Sequence, residues 1–146
     1  MIHVRVETGA FDCGVEIDRL SGAGTGAIAS FIGIVRGDGG LTSLTLEHYP
    51  AMTDRALHQL ADHAAERWGL HAVTIIHRVG TMVPGDRIVF VGTAAAHRAG
   101  ALDACAFLID ALKTRAPFWK RESFADGRSG WVDARQADEA AAARWV

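Results

Sequence analysis

The stretch LKTRAPFWKRE, residues 112–122, marks the point at which the predicted fold changes direction. Pro117 cannot continue a helix, and its ring moves Ala116 away from helical backbone angles. We therefore expect Lys113 in the last turn of a helix and Lys120 beyond the break. Because different local structures hold the two lysines, they are able to face one pocket from two sides.

The same stretch concentrates positive charge. The chain has 146 residues, with 15 Lys+Arg against 17 Asp+Glu and a formal net charge of −2. This balance argues against a general attraction to nucleic acid, so any anion site is expected to be local. Four cations nevertheless lie within nine residues: Lys113, Arg115, Lys120 and Arg121.

Composition predicts one globular domain over residues 1–146, with 49% hydrophobic and 22% charged residues. Cys13 and Cys105 form no CxxC pair, which favours a reducing, cytoplasmic compartment. No apolar run approaches the length that spans a membrane. His58 and His63 are five residues apart and do not share a helix face, and no dinucleotide or Walker-type glycine motif occurs. The sequence therefore predicts no metal and no cofactor.

Apolar alternation and helical spacing predict an α+β sandwich, mainly an antiparallel sheet packed with helices. Pro50 opens the longer helix and Gly69 caps it. The glycine-rich segment 36–40 lies between two strands and predicts that they pair as a hairpin. The predicted strands are 2–6, 27–35, 41–49, 73–79 and 87–95; the helices are 50–68 and 99–115; 18–26 is a loop and 136–146 a short helix or frayed end. The inner stripe of the second helix is predicted as Leu102, Cys105, Ala106, Ile109 and Leu112.

Further cations are candidates for anion binding, each with an ordinary alternative. Arg36 begins the glycine segment, where backbone amides can approach a ligand, although a surface arginine is usually just solvated. His97 and Arg98 precede a helix N-terminus, which attracts anions, although His97 also suits a capping role. Arg135 follows the apolar pair Trp131-Val132.

Lys113 has two interpretations that spacing leaves open. A lysine in the last turn of a helix is favoured by the helix dipole alone. A second cation nearby, such as Lys120 or Arg115, would instead disfavour the ammonium form and leave a nucleophilic or proton-accepting amine.

Six motifs in chain order closely resemble the large subunit of molybdopterin synthase. The resemblance runs from about residue 26 to residue 135, and the run around Pro117 is its most specific part. The motifs are FIGIVRG (31–37), LEHYPAM (46–52), HRVG (77–80), AAHRA (95–99), LKTRAPFWKRE (112–122) and WVDAR (131–135).

This resemblance implies an α/β hammerhead fold and a sulfur transferase of molybdenum cofactor biosynthesis. The family converts cyclic pyranopterin monophosphate (precursor Z) to molybdopterin, taking sulfur from a thiocarboxylate on the C-terminal Gly-Gly tail of a small ubiquitin-like partner subunit. A central homodimer carries one small subunit at each end, giving a heterotetramer. Lys113 and Lys120 match the family's catalytic lysines. Its anion-binding positions match Arg36, His97, Arg98 and Arg135, the last reaching across the dimer. The alternative is a non-catalytic dimeric scaffold that binds a phosphorylated ligand or a protein tail.

Overall fold

The computed structural model describes residues 1–132 and 136–145, which form two four-stranded sheets and the helices packed against them. The α+β class predicted from the sequence is confirmed. The elements in chain order are β1 (Ile2–Glu7), α1 (Cys13–Leu20), β2 (Ala27–Ile34), β3 (Leu41–His48), α2 (Pro50–Trp68), β4 (Ala72–Arg78), β5 (Gly80–Met82), β6 (Arg87–Ala95), α3 (Arg98–Arg115), β7 (Phe118–Phe124), β8 (Ser129–Val132) and α4 (Gln136–Ala143).

The first sheet has the strand order β1-β4-β6-β2, with β1 parallel to β4 and the other pairs antiparallel. Strands β4 and β6 are almost wholly buried because helices cover both faces of the sheet. Ile75 packs in the main core with residues of α2 and α3, such as Leu57. Ile76, on the opposite face, packs with Leu20 of α1. Successive residues of β4 therefore alternate between two cores.

The second sheet has the strand order β5-β3-β7-β8 and antiparallel pairing. It shows that the predicted hairpin is wrong, since β2 pairs with β6 while β3 pairs with β5 and β7. The glycine segment connects the two sheets instead. Gly39 and Gly40 take positive φ values of 65° and 82°, which turn the chain out of the first sheet.

Helix α1 was not predicted, and it occupies part of the segment 18–26 that the sequence indicated as a loop. Asp12 caps it by accepting a hydrogen bond from the Val15 amide at 3.1 Å. The helix ends at Leu20, whose side chain is buried against the first sheet. Only residues 21–26 of the predicted loop are non-helical.

The two long helices have nearly the predicted bounds. Gly69 ends α2 in the left-handed conformation, with φ 60°, and Ala116 ends α3 in an extended one. The predicted inner stripe of α3 is partly wrong, because Leu102 is 60% exposed. The helix packs against the first sheet, α2 and α4, so several faces are covered. Its buried residues are Ala101, Ala104, Cys105, Phe107, Leu108, Ala111 and Leu112.

The C-terminal segment folds back onto this helix pair. Asp110 of α3 accepts hydrogen bonds from the indole Nε1 of Trp145 at 2.7 Å and from Arg144 at 2.9 Å. Arg67 of α2 donates to the Trp145 carbonyl at 2.9 Å. These hydrogen bonds hold residues 144 and 145, which follow α4, against both long helices. Among the described helices, none is both long and apolar enough to cross a membrane.

Candidate active site

The bend at Pro117 directs the end of α3 and the start of β7 toward the same space. The Phe118 amide donates to the Ala116 carbonyl at 2.9 Å, which closes a tight turn around the proline. Lys113 lies in the last turn of α3, and Lys120 lies on β7. As predicted, both lysines line one cavity, which has a volume of about 430 Å³. That volume is typical of a small-molecule site.

The cavity lies at the junction of the two sheets. Its apolar wall includes Ile34 of β2, Ile88 of β6, and Leu44 and Phe118 of the second sheet. Arg36, just after β2, joins the two lysines in the lining. Two distant parts of the chain, the bend at Pro117 and the segment after β2, thus bring their cations to one cavity.

Carboxylates also line this cavity, and the sequence reasoning missed them. Among the described lining residues, Asp38, Glu122 and Asp138 accompany the three cations. Glu122 follows Lys120 by two residues on β7, so strand alternation places both on one face. Asp38 approaches Arg36 at 3.4 Å, but both side chains are largely exposed and the pair contributes little.

The other two cations of the bend lie elsewhere. Arg121 follows Lys120 directly on β7 and so faces the opposite side of the sheet, in register with Thr45 and Trp131. Arg115 is exposed at the end of α3. Neither is among the described residues that line the cavity.

Two further predicted anion ligands, His97 and Arg98, do not join Lys113 within one chain. His97 and Arg98 lie at the start of α3, and the rise along the helix from Arg98 to Lys113 is about 22 Å. Within the described part of the chain, the His97 side chain makes no capping hydrogen bond. Arg135 lies outside the described residues.

His77 of β4 is a site residue that the sequence analysis did not single out. It is buried and lines a second, 50 Å³ cavity together with Lys113, Lys120 and Phe118. Its ring centroid lies 4.2 Å from that of Phe118. The sequence did carry a signal for it: by strand alternation, His77 lies on the same face of β4 as the apolar residues Val73 and Ile75.

Burial lowers the pKa of His77 from 6.5 to about 4. The hydrogen bond to the Arg78 carbonyl opposes this shift, whereas the positive charges of Lys113, Lys120 and His48 add to it. The imidazole is therefore neutral at pH 7. No group of three or more His, Cys, Asp or Glu side chains among the described residues is placed to hold a metal ion.

Fold and cavity together define a class: α+β proteins in which several elements bring cations and carboxylates, three of each among the described residues, to the lining of one pocket of small-molecule size. The family model described as MoaE protein matches residues 6–115. The curated molybdopterin synthase catalytic subunit of Pseudomonas aeruginosa is 50% identical over 147 residues, covering 97% of each chain. The chain belongs to the MoaE family, the catalytic subunits of molybdopterin synthase.

Solved structures agree with this assignment. The MoaE protein from Burkholderia ambifaria has a TM-score of 0.86 and 46% identity, covering 99% of this chain and 98% of that one. A complex of subunits 1 and 2 of molybdopterin-converting factor from Helicobacter pylori has a TM-score of 0.75 at 20% identity, covering 91% and 90%, and shares the fold. The family resemblance, the fold class and the enzyme class predicted from the motifs are confirmed.

Proposed function

We propose that this chain converts precursor Z to molybdopterin with sulfur from the thiocarboxylate tail of a small ubiquitin-like partner subunit. The observation that carries the proposal is the convergence of Lys113 and Lys120, from a helix and a strand, on one cavity. The reaction takes place in the cytoplasm, and neither nucleic acid nor a membrane takes part.

The proposed substrates explain why cations gather there. Precursor Z carries a cyclic phosphate and the donor tail ends in an anionic thiocarboxylate, so two negative groups must meet. Cationic side chains reduce that repulsion and orient both reactants, which contributes proximity and electrostatic stabilisation. We assign Lys113 to the donor carbonyl, Lys120 to the pterin substrate and Arg36 to an anionic group near the cavity.

Lys113 has two chemically reasonable roles in this reaction. It can transfer protons as the carbon skeleton of the substrate opens, or its amine can attack the carbonyl of the tail. Both roles require a neutral amine at some stage. The positive charge of Lys120 in the same cavity favours that form.

The proposed assembly is a homodimer with one partner subunit at each end. A second copy of the chain accounts for His97 and Arg98, which lie too far from Lys113 to bind the same substrate within one chain. Arg135 is assigned the same anion-binding role across the dimer. The two-subunit complex from Helicobacter pylori supports a small partner for this chain as well.

The test combines the purified chain, the thiocarboxylated partner and precursor Z, and measures the dithiolene product. We expect Lys113→Ala and Lys120→Ala each to lower the single-turnover rate by about a hundredfold or more, since each removes a charge at the reacting groups. Arg115→Ala and Arg121→Ala are the matched controls, because they remove cations of the same bend outside the cavity lining. Their rates are expected to stay within about threefold of the wild type.

Near wild-type turnover by Lys113→Ala would overturn the role of that lysine. The alternative function, a non-catalytic scaffold for a phosphorylated ligand or a protein tail, predicts binding without product. Any dithiolene formed in the complete mixture and absent without the chain excludes the scaffold.

A further inference from the structure

His77 lies beneath the bend, where the first sheet meets the end of α3 and the start of β7. It lines the 50 Å³ cavity with Lys113 and Lys120, and its ring packs against Phe118 at 4.2 Å between centroids. The backbone of His77 is fixed by the sheet, because β4 pairs with β1 on one side and with β6 on the other. A polar ring at this inward position of a buried strand is costly unless it is hydrogen-bonded.

The hydrogen bond of His77 determines which ring nitrogen carries the proton. Nδ1 lies 2.8 Å from the Arg78 carbonyl oxygen, and a carbonyl only accepts. Nδ1 is therefore the protonated nitrogen, and Nε2 of the neutral ring has a lone pair that accepts. The ring is thus a fixed acceptor in the cavity shared with two lysines.

We propose that His77 is a positioning residue for Lys113: its Nε2 accepts a hydrogen bond from the lysine ammonium and holds that side chain in the cavity. This inference rests on the proposed function only in giving Lys113 its role in the reaction. Lys113 is chosen over Lys120 because the end of α3 supplies more of the lining of this cavity than β7 does, with Ile109, Leu112 and Ala116 beside Lys113. A fixed acceptor limits the rotamers of a flexible lysine and so places its amine before the substrates arrive.

The surroundings of His77 keep it in the accepting state. The charged groups that face it are Lys113 of α3, Lys120 of β7 and His48 of β3, and all three disfavour a further positive charge. With its pKa near 4, the ring stays neutral at pH 7 and above. The pH dependence of the reaction should therefore report the lysines and not His77.

The test uses two amide substitutions that each match one ring nitrogen. His77→Asn places an amide donor near the Nδ1 position, where it can bond the Arg78 carbonyl, but provides no acceptor at the Nε2 position. His77→Gln extends further and places an amide oxygen near the Nε2 position. The pKa of Lys113 is measured in the full chain by NMR with ε-¹³C-labelled lysine, and Lys113→Arg identifies the resonance.

Loss of the acceptor removes a hydrogen bond to the charged form of the lysine. We expect the pKa of Lys113 to fall by about one pH unit in His77→Asn and to return toward the wild-type value in His77→Gln. The acidic limb of the rate profile, which reports formation of the neutral amine, should move with it. On the plateau above that limb, the single-turnover rate of His77→Asn should be about tenfold lower, because the lysine is no longer held in position. His58→Gln is the control and should change neither quantity, because His58 is a half-buried histidine of α2 outside the described lining of both cavities.

An unchanged pKa of Lys113 in His77→Asn, or equal changes in both amide variants, would overturn the proposal. If His77→Asn does not fold, His77→Leu takes its place, because it also removes the acceptor, suits a buried strand and should lower the pKa of Lys113 in the same way. The titration needs no substrate, so it also separates the two proposals. If the wild-type chain makes no product, the proposed function fails while the NMR result still tests His77.

Discussion

At the scale of single residues, alternation along β7 selects which charges of the bend take part in the cavity. Phe118, Lys120 and Glu122 face it, whereas Arg121 points to the other side of the sheet. Trp119, also on that other side, makes an edge-to-face contact with Tyr49 at 5.2 Å between centroids. The four cations are therefore not equivalent, although they lie within nine residues of each other.

His77 gives the folded protein a specific pH dependence. Its pKa is about 4 in the folded chain and 6.5 when unperturbed, so the unfolded chain binds a proton that the folded chain does not between these values. The contribution of His77 to the free energy of unfolding is therefore fully present above about pH 6.5 and is lost as the pH falls toward 4. The loss is on the order of 3 kcal/mol.

Urea unfolding at several pH values measures this contribution. The free energy of unfolding of the wild type, minus that of His77→Phe, should fall as the pH is lowered from 6.5 to 4. Phenylalanine keeps a ring against Phe118 but cannot be protonated, so only the wild type loses stability through this group. His58→Gln should retain the wild-type slope. A constant difference between wild type and His77→Phe across this window would contradict the burial-induced shift.

At the scale of elements, the packing of α3 explains both what pattern reasoning predicted and what it missed. Its end at Arg115 follows from Pro117, a local steric effect. Its inner face does not follow from periodicity, because the helix contacts the first sheet, α2 and α4. Alanines at 101, 104 and 111 are buried, while Leu102 is exposed. Small residues allow the helix to approach its neighbours closely, so side-chain size and not only hydrophobicity decides the face.

A close approach also fixes the start of β2. A Cβ added at Gly26 would lie 2.1 Å from the Ala96 carbonyl oxygen, which belongs to the backbone and cannot move alone. We expect Gly26→Ala to lower the free energy of unfolding by about 1–3 kcal/mol, measured by urea denaturation. Gly22→Ala is the matched control, since its nearest neighbour is a Thr25 side-chain atom at 4.0 Å. Equal effects of the two substitutions would argue against this contact.

At the scale of the whole molecule, the cationic candidates divide between the two ends of α3. Lys113 at the C-terminal end lines the cavity with Lys120 and Arg36, whereas Arg98 lies about 22 Å away along the helix. One chain therefore cannot present the full predicted set to one small substrate. The proposed homodimer resolves this by supplying His97 and Arg98 from the second copy.

Mixed assemblies test this arrangement. Lys113→Ala and Arg98→Ala proteins, each weakly active alone, are unfolded together, refolded as mixed dimers and assayed with the partner and precursor Z. If each site takes its lysine from one copy and its arginine from the other, a mixed dimer has one intact site. We expect the mixture to recover about a quarter of wild-type activity, since random pairing puts half of the chains in mixed dimers. Activity no higher than the average of the two single variants would show that the site of Lys113 does not take Arg98 from the second copy.

The sequence by itself determined the features that depend on local chemistry. Pro50 and Gly69 bound α2, Pro117 ends α3, and the break between Lys113 and Lys120 follows from that proline. The motifs around these residues also determined the family. These predictions succeeded because the steric limits of proline and glycine act within a few residues.

Only the tertiary structure decided how distant segments meet. The glycine segment after Arg36 looked like a hairpin turn, yet it joins two sheets, because pairing depends on which strands bury their faces together. His77, Asp38 and Asp138 entered the site through contacts between segments far apart in the chain.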